Sequence, residues 1–207
     1  YMVYKILILL IILFLIYNFV NKKEYFKNEN TLYIIIPIRD REEDLKDYLK
    51  NALPVFDYHR INYKILIVEQ EQGKKFNKAK INNVGFLEMN KKYPKSQRIL
   101  FNDVDNYPLD KNAINFKCPI RGIHHFFGHY FCLGGIFLIN KNDYIKLNGF
   151  SNNFWGWGGE DVDFQKRAEI LGVKIVRDNF FERHLNKTYS FSIYIDCEGK
   201  AKELWLF

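Results

Sequence analysis

The segment Trp155-Gly156-Trp157-Gly158-Gly159-Glu160-Asp161 gathers two indoles, three glycines and two carboxylates. Indole faces stack on sugar rings, and glycines let a loop move. Acids at the start of a helix can take a proton from an attacking hydroxyl while a neighbour bonds the sugar that carries it. The structural alternative puts the tryptophans in the core and leaves Glu160 and Asp161 to complement a helix dipole. Asp103-Val104-Asp105 sets two acids at i, i+2. One could grip Mg²⁺ or Mn²⁺ while the other supports a ribose or an outer-shell water. By itself the same spacing also fits a solvated turn, helped by Asn106 and Pro108. Pro37-Ile38-Arg39-Asp40-Arg41 offers two guanidinium groups that could hold a diphosphate or simply carry surface charge. His125 and His129 stand at i, i+4, the spacing of a helical metal pair, but no helical pattern surrounds them. His184, in Glu182-Arg183-His184, is uninformative alone.

Strands must carry these groups to one place. Leu32 to Ile36 reads as a strand ending at Pro37, followed by a helix from Arg41 to Leu53. A second strand, Tyr63 to Val68, leads to a helix from Phe76 to Asn90, on which Phe76, Ala79, Val84 and Leu87 recur at helical intervals. A third, Ile99 to Phe101, runs straight into Asp103 and Asp105, at the strand end where ligands of open α/β sheets bind. The segment Lys111 to Tyr130 fits no period. A strand at Gly135 to Ile139, a short helix at Lys141 to Leu147, a glycine and tryptophan loop, a helix at Glu160 to Leu171 capped by Gly172, and a strand at Val173 to Val176 follow.

At 207 residues and 48% hydrophobic, the chain suits one catalytic domain. The net charge of +7 is spread along it, which speaks against nucleic acid and mildly for anionic small ligands. Cys118, Cys132 and Cys197 form no CxxC pair, so neither a zinc site nor a disulfide framework is expected. Ile6 to Val20, ILILLIILFLIYNFV, reads as membrane-seeking. The expected organisation is an anchor at 1–21, a linker at 22–30 and the catalytic domain at 31–207. Lys22 and Lys23 weigh against a lumenal C-terminal domain and leave the topology open. Nothing in the sequence marks an oligomeric state.

Taken together, IIIPIRDR (34–41), KFNKAKINNVGF (75–86), FNDVDNYPLD (101–110), the run from Leu133 to Arg167, and Arg183-His184 resemble the β-1,4-galactosyltransferase family, glycosyltransferase family 7, in order and spacing. The resemblance implies an α/β GT-A fold: a Rossmann-like nucleotide-binding half with a mixed central sheet, an acceptor half, and a single-pass type II membrane helix of the Golgi or an equivalent compartment. By resemblance, Pro37, Ile38, Arg39, Asp40, Arg41, Phe76, Asn77, Lys78, Asp103, Val104 and Asp105 hold UDP. Asp105 and His184 would coordinate Mn²⁺ or Mg²⁺, and Trp157 would close over the donor. Cys132, Gly134, Gly135, Trp155, Gly159, Glu160, Asp161 and Val162 would meet the sugars, with Asp161 as general base beside Glu160. The implied reaction is an inverting, metal-dependent transfer of galactose or N-acetylgalactosamine from UDP-Gal or UDP-GalNAc to a hydroxyl of a glycan acceptor, a GlcNAc-type sugar first.

Four positions depart from the family. Phe181 stands where a methionine ligates the metal, and Cys132 where a tyrosine crowds the donor's C2 substituent, leaving room for an N-acetyl group. Val162 interrupts a run of aspartates, and the resulting GGEDVD resembles chondroitin-type N-acetylgalactosaminyltransferase domains. Lys78 replaces an arginine, keeping the charge without the bidentate fork. A chondroitin-type transferase and a catalytically silent sugar-binding protein are the alternatives.

Overall fold

The computed structural model describes residues 13–14, 30–109, 114, 116, 122–156 and 158–177, and the strands at 181–182, 192–195 and 201–204. Among these, β1 (Leu32–Ile38), α1 (Glu42–Tyr58), β2 (Tyr63–Glu69), α2 (Lys78–Lys92) and β3 (Arg98–Asn102) make two β-α units and a third strand. Next come β4 (Ile123–Gly128), β5 (Ile136–Asn140), α3 (Lys141–Lys146), α4 (Glu160–Ile170), β6 (Ile175–Val176) and β7 (Phe181–Glu182). Separately, β8 (Ser192–Ile195) pairs antiparallel with β9 (Ala201–Leu204).

The main sheet has the order β2-β1-β3-β5-β4-β6, with β7 also paired to β4. β1 runs parallel to β2 and β3, whereas β5 runs antiparallel to β3 and β4, so the sheet is mixed. The apolar run of β1 is buried on both faces, as a covered parallel strand requires. Leu32, Ile34, Ile36 and Ile38 pack with Tyr48, Ala52 and Phe56 of α1. Tyr33 and Ile35 face the other layer, with Ala79, Phe86 and Met89 of α2, Tyr144 of α3, and Phe164 and Ala168 of α4.

Several sequence expectations shift. β1 passes through Pro37 because its pairing with β3 stops at Ile35↔Phe101; beyond that point the strand has an open side on which a missing N–H costs nothing. α1 continues past Leu53 and Pro54 to Tyr58, since Val55 and Phe56 are buried in the core and packing outweighs the proline's local penalty. Val84 and Leu87 do not face the core: they are 41% and 61% exposed. The inner face of α2 instead includes Gly85, where a Cβ would come within 2.7 Å of Ile35 Cγ2. The unassigned stretch before Tyr130 contains β4, an interior strand, so His125 and His129 form no helical pair. The helix after the glycine loop closes as expected: Gly172 has φ +65, its N–H bonds Glu169 O, and Val173 N–H bonds Ala168 O.

No helix among the described residues is long and apolar enough to cross a membrane. Apart from Leu13 and Phe14, the expected anchor at 1–21 lies outside the described residues, as do Cys118 and Cys197. Cys132 is a free, buried thiol.

Candidate active site

β1 sits between β2 and β3, so the chain crosses over where β1 and β3 diverge, the switch point at which open α/β sheets leave a crevice. A cavity of about 630 Å³ opens there, within the ~300–1,000 Å³ common for small-ligand sites. Pro37, Ile38, Arg39 and Arg41 line it from the end of β1, Phe76 and Lys78 from the entry to α2, and Asp103, Val104 and Asp105 from the end of β3. Its far wall holds Cys132, Gly134 and Gly135 together with Gly159, Glu160, Asp161 and Val162. Most of the groups singled out by sequence therefore line one cavity.

The exceptions have other work or lie elsewhere. Asp40, at φ 53, is exposed and accepts a hydrogen bond from Gln72 outside the cavity lining. Asn77 caps α2: its side chain accepts from Lys80 N at 2.8 Å and donates to Asn152 O at 2.8 Å. Trp155 is 45% exposed, with the Lys80 ammonium 5.9 Å from its ring centre. Trp157 and His184 lie outside the described residues, and for Phe181 only the backbone pairing with Phe127 is described.

At the centre stands a half-buried ion triad. Lys78 Nζ lies 2.8 Å from Asp103 Oδ1 and 3.0 Å from Asp161 Oδ2. Asp103 is further tied to the glycine turn, accepting from Gly135 N at 3.1 Å while its own N–H bonds Gly135 O at 2.9 Å. The Lys78 charge is thus shared by two carboxylates at the cavity lining. Burial alone would lower the Lys78 pKa, but the two carboxylates override it and hold the ammonium protonated well above its usual range. Asp161 moves up as well, to about 6: burial lifts it, Asp103 and Glu160 add to the lift, and Lys78, divided between two acids, offsets only part.

α4 starts at Glu160, so both acids sit in its first turn. Asp161 Oδ1 and Glu160 Oε2 are buried without a hydrogen-bond partner among the described residues. Buried acceptors in this state call for a donor from a bound ligand or water. Gly134 lets this happen: a Cβ there would lie 2.5 Å from Asp161 Oδ2. Burial, reinforced by Asp161, raises the neighbouring Cys132 thiol.

On the opposite side Arg39 donates to Lys74 O at 2.7 Å, and its guanidinium lies 5.2 Å from the centre of the Phe76 ring. Arg41 pairs with Asp44 at 2.8 Å, and that hydrogen bond raises its pKa. Asp105 is exposed at the cavity, an oxygen donor of the hardness Mn²⁺ or Mg²⁺ prefers. Among the described residues no cluster of three or more His, Cys, Asp and Glu gathers.

Sequence reading missed Gly128 and Phe131, and weighed His129 only as half of a helical metal pair; all three line the cavity. The His129 and Phe131 rings stack at 5.1 Å, and Phe131 is 58% exposed. No spacing signalled Gly128 or Phe131, because the turn after β4 has no period.

Two family descriptions match the chain: the N-terminal region of glycosyl transferase group 7 over residues 22–119, and the N-terminal domain of galactosyltransferase over residues 116–192. Human β-1,4-galactosyltransferase 4 is 38% identical over 156 residues, which are 70% of this chain and 44% of that protein. Human β-1,4-galactosyltransferase 1 is 39% identical over 158 residues, 70% and 38% respectively. The chain therefore spans less than half the length of these relatives. Two crystal structures of Drosophila β-1,4-galactosyltransferase 7 align with a TM-score of 0.64, covering 78% of this chain and 68% of theirs. One is the catalytic domain with xylobiose, at 26% identity; the other is a mutant with manganese, UDP-Gal and xylobiose, at 25%.

Proposed function

The chain belongs to the glycosyltransferase group 7 family, and on that premise we propose that it transfers galactose from UDP-Gal to a carbohydrate hydroxyl, with metal dependence and inversion at the anomeric carbon. The observation that carries this reading is Asp161: a carboxylate in the cavity wall, with Oδ2 on Lys78, Oδ1 without a partner among the described residues, and a pKa near neutrality. At pH 7 it is mostly ionised yet still basic enough to act, the compromise that general-base work favours. The acceptor hydroxyl hydrogen-bonds Asp161 Oδ1, its oxygen attacks the anomeric carbon, the bond from that carbon to the diphosphate breaks, and the proton passes to Asp161. One displacement inverts the centre and needs no covalent intermediate. Glu160 Oε2, equally unpartnered there, takes a second acceptor hydroxyl.

On the donor side Phe76 and Arg39 offer a face for the uracil, and Arg39 and Arg41 lie where a diphosphate would bring charge. Asp105 with His184 would hold Mn²⁺, and a divalent cation there offsets charge developing on the departing diphosphate. Trp157 would cover the bound donor. The small Cys132 side chain, beside Gly134 in the cavity lining, supports UDP-GalNAc as a second donor, since a thiol takes less room than a tyrosine would. The apolar run at 6–20 supports single-pass anchoring in a Golgi-like compartment, which carbonate extraction of membranes from expressing cells tests.

The decisive experiment measures UDP release with UDP-Gal, UDP-GalNAc and UDP-GlcNAc, in Mn²⁺, Mg²⁺ or EDTA, over GlcNAc, xylose, glucose and glucuronate acceptors. Turnover of UDP-Gal that needs metal and is lost in Asp161→Asn is expected. Donor binding without turnover on any acceptor would instead identify a silent sugar-binding protein.

A further inference from the structure

His125 takes no part in the chemistry above, yet it is 2% exposed at the middle of β4, directly behind the cavity wall. Its Nε2 lies 2.8 Å from Gly134 O, and its Nδ1 lies 3.1 Å from Arg177 Nε. An arginine Nε can only donate, so Nδ1 must accept, and the ring proton must sit on Nε2 and point at the Gly134 carbonyl. Arg177 is itself held from α4, donating through Nη2 to Gln165 Oε1 at 2.7 Å, with Tyr130 packed against the guanidinium at 4.6 Å. At Gly128 a Cβ would lie 2.9 Å from His125 Nε2, so a residue without one lets the ring reach the turn.

The Gly134-Gly135 turn is also where both triad carboxylates are seated. Gly135 holds Asp103 through its N–H and its carbonyl, Leu133 N bonds Asp161 O at 3.1 Å, and the Gly134 Cα lies against the Asp161 carboxylate. A turn that slid by a few tenths of an ångström would carry Asp161 Oδ1 with it. We propose that His125 is a positioning residue: a neutral imidazole, protonated on Nε2, that clamps the Gly134 carbonyl and thereby fixes the turn that sets Asp161 for proton abstraction. Burial pushes the imidazole down to about 3; backbone hydrogen bonds to Gly134 and Phe127 pull the other way, while Arg177 and His129, the charged and titratable groups facing it, disfavour a second proton. The clamp therefore keeps one form throughout the working range of the protein.

The role in proton abstraction rests on the transferase reading, whereas the tautomer does not, and the test separates them. In ¹⁵N-edited NMR of the wild-type chain the His125 ring should show the neutral Nε2–H form from pH 8 to pH 5; an Nδ1–H form, or titration within that range, overturns the clamp whatever the activity. In kinetics, His125→Phe should lower kcat by about 10- to 100-fold, the order expected of a small misplacement of a reacting group, with the KM for the UDP-sugar unchanged. His125→Gln, whose side-chain amide can donate to the same carbonyl, should recover most of that rate. Wild-type kcat in a folded Phe variant, or equal loss in folded Phe and Gln variants, overturns the proposal. Failure of the wild type to turn over any donor would reject the transferase reading, and the NMR result would still decide the clamp.

Discussion

Replacing Lys78 by methionine keeps the side chain's length and deletes an ammonium that lies 2.8 Å from Asp103 Oδ1 and 3.0 Å from Asp161 Oδ2. In the native site burial already lifts Asp161 to about 6, with Lys78 pulling against that lift. An opposite charge at this range lowers a carboxyl by about 1–3 units, so its loss should carry Asp161 to about 7–9. At pH 7 the ionised fraction, and with it the rate, then falls roughly 2- to 90-fold. The assay is UDP release from pH 5 to pH 9.5 with subsaturating acceptor, so that the acid limb of kcat/KM reports the free enzyme. In the Met variant the limb should move upward and the rate recover near pH 9, while Lys78→Arg, which keeps the charge, should leave it near 6. A folded Met variant whose acid limb stays at 6 would refute the assignment of that limb to Asp161 and the coupling through Lys78.

Asp161 also bears on stability. Its folded pKa lies above the ordinary 3.8, so the folded state binds the proton more tightly; that contribution is present below 3.8 and is lost as pH rises through about 6. The melting temperature of wild type relative to Asp161→Asn should therefore fall between pH 4 and pH 7, as scanning calorimetry in a pH series would show. Gly134→Ala places a methyl 2.5 Å from Asp161 Oδ2 and should cut kcat by roughly 100-fold with cooperative melting retained. Asp105→Asn should raise the Mn²⁺ concentration needed for half-maximal turnover, read by metal titration of UDP release. Asn83 accepts from Tyr144 OH and Phe150 N and donates to Phe150 O and Asn152 Oδ1. Asn83→Ala leaves these groups short of partners and should cost about 2–4 kcal/mol in urea unfolding.

Much of this was open to reading in the chain itself. The apolar run of β1 is a strand covered on both faces, β2 is a half-covered strand at the sheet edge, and the acids at 103 and 105 directly follow the short apolar run of β3. The start of α4 is equally local: glycines that end a loop, then acids suited to a helix N-terminus. β4 was not legible, because two histidines interrupt its apolar pattern and its partners β5, β6 and β7 lie later in the chain. The inner face of α2 was misread for a related reason, since a glycine at 85 gives no hydrophobic signal although it packs against Ile35 and Val68 with no room for a Cβ.

The residue types, their order and the ends of the strands that carry them belong to the sequence, which by itself determined that acids, guanidinium groups and a glycine loop would meet at one edge of an α/β sheet. The tertiary structure decided what those groups are once they meet. Lys78 joins Asp161 across 83 residues and Asp103 across 25, His125 turns from a candidate ligand into a buried strand residue bonded to the Gly134 carbonyl, and the Asp161 carboxyl is raised to about 6. A carboxylate's proton affinity depends on how much water has been excluded around it and which charges stand within a few ångströms, and both are set only when distant segments close on each other.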